Sequence, residues 1–191
     1  MAQVAAAMVK LWNFIQFQIC WFALVLSVAN ATPWLGIAIA GALLALHCWR
    51  FAMPGEWQLL AVVGLLGWLW ESLLQTTGLM NYAGEKYWAP LAPLWLAMLW
   101  INFAATLNHS MAWLKGQWFY ALLLGASGAP LAFWAGVKLG AASFGEELLA
   151  LVVISLGWAL LLPLIVHWAA IINGDNKPVS GFVESDDDAG Y

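Results

Sequence analysis

The 191 residues are 64% apolar and only 8% charged, against roughly half apolar and a quarter charged in a soluble domain. A water-soluble fold of that composition could not cover its own surface, and with no basic patch interleaved with aromatics nucleic acid is not an expected partner. The net charge of −4 is carried entirely by the last nineteen residues, NGDNKPVSGFVESDDDAGY, which hold five acids and one base.

Six apolar stretches come close to the ~20 residues that cross a ~30 Å hydrocarbon layer at ~1.5 Å per residue. They run from Leu11 to Ala29, Pro33 to Ala52, Trp57 to Met80, Leu91 to Lys115, Gln117 to Leu139 and Glu147 to Ile172. Glycine and proline punctuate the gaps, and the runs lack the alternation of barrel strands. An all-α polytopic membrane bundle is predicted, with six transmembrane helices and short loops over residues 1–172. The acidic tail, 173–191, is too polar to fold alone and is expected to be disordered and cytoplasmic.

The first helix carries Asn13, Gln16 and Gln18, which suit a helix packed on others better than a cleaved leader, although Ala29-Asn30-Ala31 has a small-x-small pattern. Cys20 in this helix and Cys48 in the next lack disulfide or metal-ligand spacing and are read as packing residues. An inside N-terminus places Lys10, Arg50, Lys115 and Lys177 in the cytoplasm and Lys86 and Lys138 outside, a bias that sets both termini inside. Trp12, Trp49, Trp57, Trp113, Trp118 and Trp168 then gather at the inner interface, and Trp34, Tyr82, Tyr87 and Trp88 at the outer.

Helix three holds Glu71 in GWLWESLLQTT. A charge at mid-membrane costs at least ~2.5 kcal/mol, so Glu71 is expected to face protein or a wet cavity. It is either a proton carrier, cation site or general acid, or a carboxyl hydrogen-bonded to a neighbouring helix. Matching depths at ~1.5 Å per residue makes Asn102 its first candidate partner and Gln75, one turn on, its second.

Asn102, Thr106 and His109 fall on one stripe of helix four. The lower end of that helix, LNHSMAW, is the densest polar cluster, and Asn13 and Gln16 face its level. Asn108, His109 and Trp113, with Asn13, Gln16 and His47, make up a candidate inner-leaflet site. His47, His109 and His167 share a depth, but without an adjacent carboxylate no metal is expected there, and no cofactor motif occurs. Glu71 and His109 differ by ~15 Å in level along unbroken helices, too far for an acid–base pair. GASGAP in helix five and Pro163 in helix six allow bends or close approach.

The stretches WFALVLSVANATPWLG, LHCWRF, WESLL, APLWLAMLW, LNHSMAWL, GAPLAFWAGVKLGA and LGWALLLPL together resemble the bacterial membrane family termed domain of unknown function 2878. That resemblance transfers no catalytic residue. It implies, from the cyclopropane-fatty-acid-synthase-like methyltransferases and stress-response sigma factors encoded beside such proteins, a role in modifying or protecting membrane lipids. The first expectation is thus an accessory protein of the bacterial inner membrane, with membrane lipids and a lipid-modifying enzyme as partners. Two alternatives stand beside it: a small-solute or proton-coupled transporter using Glu71, and an intramembrane enzyme at Asn108 and His109. Nothing in the sequence fixes the oligomeric state.

Overall fold

A computed structural model describes residues 2–85 and 89–174. The acidic tail lies outside them from position 175 on, as do Lys86, Tyr87 and Trp88. The described residues form a bundle of six helices: α1 (Ala2–Ala29), α2 (Pro33–Phe51), α3 (Glu56–Thr76), α4 (Leu94–Ala104), α5 (Trp118–Lys138) and α6 (Glu147–Ile172). Five are long and apolar enough to cross a membrane; α4, with 11 residues, is not.

The helices pack as consecutive pairs, α1 on α2, α3 on α4 and α5 on α6, with α4 also touching α1 and α2. Pro33 starts α2 at a position where its missing N–H costs nothing. Glu146 caps α6 by accepting from the N–H groups of Leu148 and Leu149 at 3.2 and 2.6 Å. Large apolar side chains line the outer faces: Phe14 and Phe22 on α1, Leu65 and Leu69 on α3, Leu131 on α5, Leu156 and Leu160 on α6. Helices that are apolar both inside and outside are those of a membrane-embedded bundle.

Two strands depart from an all-helical chain. β1 (Met80–Tyr82) pairs antiparallel with β2 (Ala142–Phe144), Asn81 opposite Ser143. The ribbon ties the α3–α4 connection to the α5–α6 connection and defines a cap end of the bundle. Gln75 donates to the carbonyls of Pro90 and Leu91 at 2.9 and 2.8 Å, and Trp95 to that of Ala83 at 2.9 Å. The cap loop is therefore held by side chains of the helices beneath it.

Helix four is shorter than the expected stretch from Leu91 to Lys115, although the segment as a whole still joins the cap end to the start of α5 at the opposite end of the bundle. At ~1.5 Å per residue α4 covers only ~16 Å, and residues 105–117 continue as turns with a short 3-10 segment at Ala112–Leu114. The cause is competition for backbone groups. Asn13 of α1 donates to the Ala105 carbonyl at 3.0 Å and accepts from the Ser110 N–H and hydroxyl at 3.2 and 2.6 Å. Thr106 turns its hydroxyl to the Phe103 carbonyl at 2.6 Å. These bonds satisfy non-helical backbone that faces protein rather than lipid, the condition under which a membrane tolerates it.

The GASGAP stretch does not break α5. Pro130 leaves the Ala126 carbonyl without its usual donor, and Ser155 of α6 supplies one at 2.7 Å. Gly125 is where the pair touches: a Cβ there would stand 2.2 Å from the Trp158 carbonyl oxygen.

Candidate functional site

Polar chemistry gathers at two levels of α3. Near the cap end, Glu71 is buried, and both its carboxylate oxygens are engaged. Trp100 Nε1 donates to Oε1 at 3.0 Å, and the Tyr82 hydroxyl donates to Oε2. Gly67, one turn before Glu71, makes this possible, since a Cβ at 67 would lie 1.8 Å from Trp100 Cδ2. The indole thus lies flat over a bare patch of α3 and reaches the carboxylate one turn on. Burial, and then the Glu71 charge, raises the Tyr82 phenol well above its ordinary pKa, so it remains a donor.

The partners differ from those expected. Asn102 is buried but donates to the Met98 carbonyl of its own helix at 2.9 Å, and Gln75 is turned to the cap loop. Depth along the helices points to the amide side chains of Asn102 and Gln75. Two aromatic donors answer Glu71 instead, one of them on a strand. Tyr82 is accordingly a buried partner and not part of an interfacial ring. Trp34, Trp49, Trp57, Trp113 and Trp118 are exposed at helix ends.

Glu71, Tyr82 and Trp100 line a cavity of about 560 Å³ whose walls come from α1, α4, α5 and α6. Phe17, Trp21 and Phe22 of α1 face Gly128, Ala132 and Gly136 of α5 across it. Trp158 of α6 closes the back, stacked on Trp100 with ring centroids 4.7 Å apart. The lining residues that are also exposed, Gln18, Phe22, Leu124, Leu131 and Ala132, lie within α1 and α5 rather than in loops. The mouth is therefore on the side of the bundle, between α1 and α5.

The second centre lies at the other end of α3, the histidine end of the bundle. Glu56 is fully buried in the first turn of α3. Its Oε1 stands 2.9 Å from His47 Nε2 and 3.4 Å from His109 Nε2, and its Oε2 accepts from the Met53 N–H at 2.6 Å. The two imidazoles meet edge to face with centroids 4.8 Å apart. Fifteen residues separate Glu56 from Glu71, so the centres are ~22 Å apart along the helix.

Glu56 lies one residue before the expected start of helix three at Trp57 and is the carboxylate beside the histidines that the sequence expectation lacks. A legible signal existed: an acid directly after Pro54-Gly55, with a histidine one turn before the preceding helix ends. The level shared by three histidines resolves into two that meet, while His167 is exposed on α6 beside Trp118, centroids 5.3 Å apart.

Of the remaining inner-site candidates, Asn13 is bonded as described and Gln16 donates to the Leu43 carbonyl at 3.1 Å. Asn108 is buried with neither amide atom partnered among the described residues. Trp113 is exposed.

A family model described as a protein of unknown function (DUF2878) matches residues 10–164. The chain belongs to this family. The matched region contains both centres and every residue that lines the cavity. No match was found among curated proteins or among solved structures.

Proposed function

We propose that this DUF2878 protein binds an acyl-chain lipid from the bilayer, the chain lying in the lateral cavity between α1 and α5 and a hydrogen-bond-donating group of its polar end meeting Glu71. The observation that carries this reading is the cavity itself: about 560 Å³, apolar walls, and one carboxylate. Ligand pockets of ~300–1,000 Å³ lined by aromatics with few polar groups are the usual form of a small-molecule site. From Leu124 to Gly136 the cavity follows α5 for ~18 Å, close to the ~15 Å of one leaflet's hydrocarbon.

The carboxylate selects the ligand's polar end. Each of its oxygens already accepts one bond, and its remaining lone pairs accept but cannot donate. An amine or hydroxyl suits that position, whereas a phosphate beside it would be repelled. The role fits an accessory protein that presents lipid to a modifying enzyme of the bacterial inner membrane, both termini cytoplasmic. A proton-coupled transporter using Glu71 is less well supported, because α5 runs unbroken past Pro130, with Ser155 meeting the freed carbonyl.

The test is lipid extraction from protein purified in mild detergent, with mass spectrometry of what co-purifies. Gly136→Phe is the blocking variant, because no atom lies within 4 Å of a Cβ at 136 and the ring can enter the cavity. Wild-type protein should carry a defined acyl lipid at near one per chain, and Gly136→Phe should lose most of it at equal abundance. Equal lipid in both proteins would overturn the proposal.

A further inference from the structure

We propose that His47, Glu56 and His109 form a binding site for one divalent first-row transition-metal ion. Three separate chain segments, the end of α2, the start of α3 and the turn after α4, converge on one point. Both imidazoles present the same atom, Nε2, to the same carboxylate. The three ligand atoms lie within 4.8 Å of one another and all three residues are buried.

The spacing suits an ion. Donors held ~2.0–2.2 Å from a tetrahedral centre stand roughly 3.3–3.6 Å apart. His109 Nε2 is 3.4 Å from Glu56 Oε1, and His47 Nε2 is at 2.9 Å, so replacing a shared proton with an ion opens that contact by a few tenths of an ångström. With ligand atoms up to 4.8 Å apart, the two imidazoles need to close by at most about 1.5 Å, and they can do so because His109 lies on turn backbone and not in a helix.

Chemistry restricts the ion. Two imidazoles and one carboxylate are a borderline donor set that favours zinc, iron or cobalt over magnesium and calcium, which take oxygen. Three protein ligands leave a fourth position for water or a substrate, the arrangement of ions that act as Lewis acids. The backbone N–H of Met53 already fixes the other oxygen of Glu56, so the carboxylate is oriented before an ion arrives.

The ion site is independent of the lipid cavity and fails or survives separately. Zinc and cobalt are the probes, used on the full chain purified in detergent with any affinity tag removed. After stripping with chelator, wild-type protein should bind one zinc per chain with a rise in melting temperature. Its cobalt form should show the visible bands of a tetrahedral ion. His47→Gln, Glu56→Gln and His109→Gln should each weaken zinc binding at least tenfold, while His167→Ala and Glu71→Gln should not. Wild-type protein that takes up no zinc and melts unchanged would reduce the cluster to a hydrogen-bonded triad and overturn the proposal. That measurement stands even if a cluster variant fails to fold. Zinc uptake undiminished in all three folded variants would overturn it equally.

Discussion

Trp100 Nε1 donates to Glu71 Oε1 at 3.0 Å, joining α4 to α3 across the face that Gly67 leaves bare. Removing either member should be felt according to what the other is left with. Trp100→Phe strands one buried carboxylate oxygen, expected to cost ~1–3 kcal/mol. Glu71→Gln keeps volume and an acceptor for the indole, and the Tyr82 hydroxyl can turn to accept from the new amide, so the protein should fold. Glu71→Lys brings a charge with two donors aimed at it and should express poorly. Detergent melting and membrane abundance check the series; equal behaviour of the Gln and Lys variants would mean that the site is wet.

Topology gives a second prediction. If both termini are cytoplasmic, as proposed, residues 83–85 and 89–93 at the cap end face outward. Ala89, exposed there, is a position for a single cysteine once Cys20 and Cys48 are replaced. Ala89→Cys should react with an impermeant maleimide in intact cells. Reaction only in inverted vesicles would reverse the orientation.

Two glycines of α5 should behave oppositely. Gly125→Leu places carbon where the Trp158 carbonyl stands, 2.2 Å from the new Cβ, and must separate α5 from α6. A rigid overlap of this kind costs ~1–3 kcal/mol or more. Gly136→Leu meets no atom within 4 Å and should melt like wild type. If the two variants are equally destabilised, packing at 125 is not what holds the pair.

The bundle was legible because hydropathy in a membrane protein is read over twenty residues at a time, and five long runs became five long helices. Helix four was not, because its hydropathy continues through Leu107 and Met111 while its backbone answers to Asn13, ninety-two residues earlier. Glu71, Asn13, His47 and His109 stand out in the sequence as polar side chains inside apolar runs. Their partners do not, for a physical reason: depth along straight helices ranks neighbours by level and ignores the faces of indoles and the tips of strands. Tyr82 is expected as an interfacial anchor and nothing in the sequence singles out Trp100, yet both are donors to a buried acid. Glu56 sat at a helix boundary, where an acid ordinarily serves the helix dipole; only the fold shows two histidines closing over it.

Asn13 and Asn108 are both buried at the histidine end, and the fold assigns them opposite energetics. Asn13 satisfies three groups of the turn after α4: the Ala105 carbonyl, the Ser110 N–H and the Ser110 hydroxyl. Asn13→Leu leaves them unpaired in an apolar setting and should lower stability by ~2–5 kcal/mol, since each buried orphan costs ~1–3 kcal/mol and part relaxes. Asn108 has no partner for either amide atom among the described residues, so its own side chain is the orphan. Asn108→Leu removes that penalty at similar volume and should melt at or above the wild-type temperature. Detergent melts of the two variants, run beside zinc binding, separate the roles: if Asn108→Leu is stabilised and still takes up zinc, Asn108 is retained for a ligand or partner outside the bundle. An Asn108→Leu protein as unstable as Asn13→Leu would show instead that its amide is bonded within the fold.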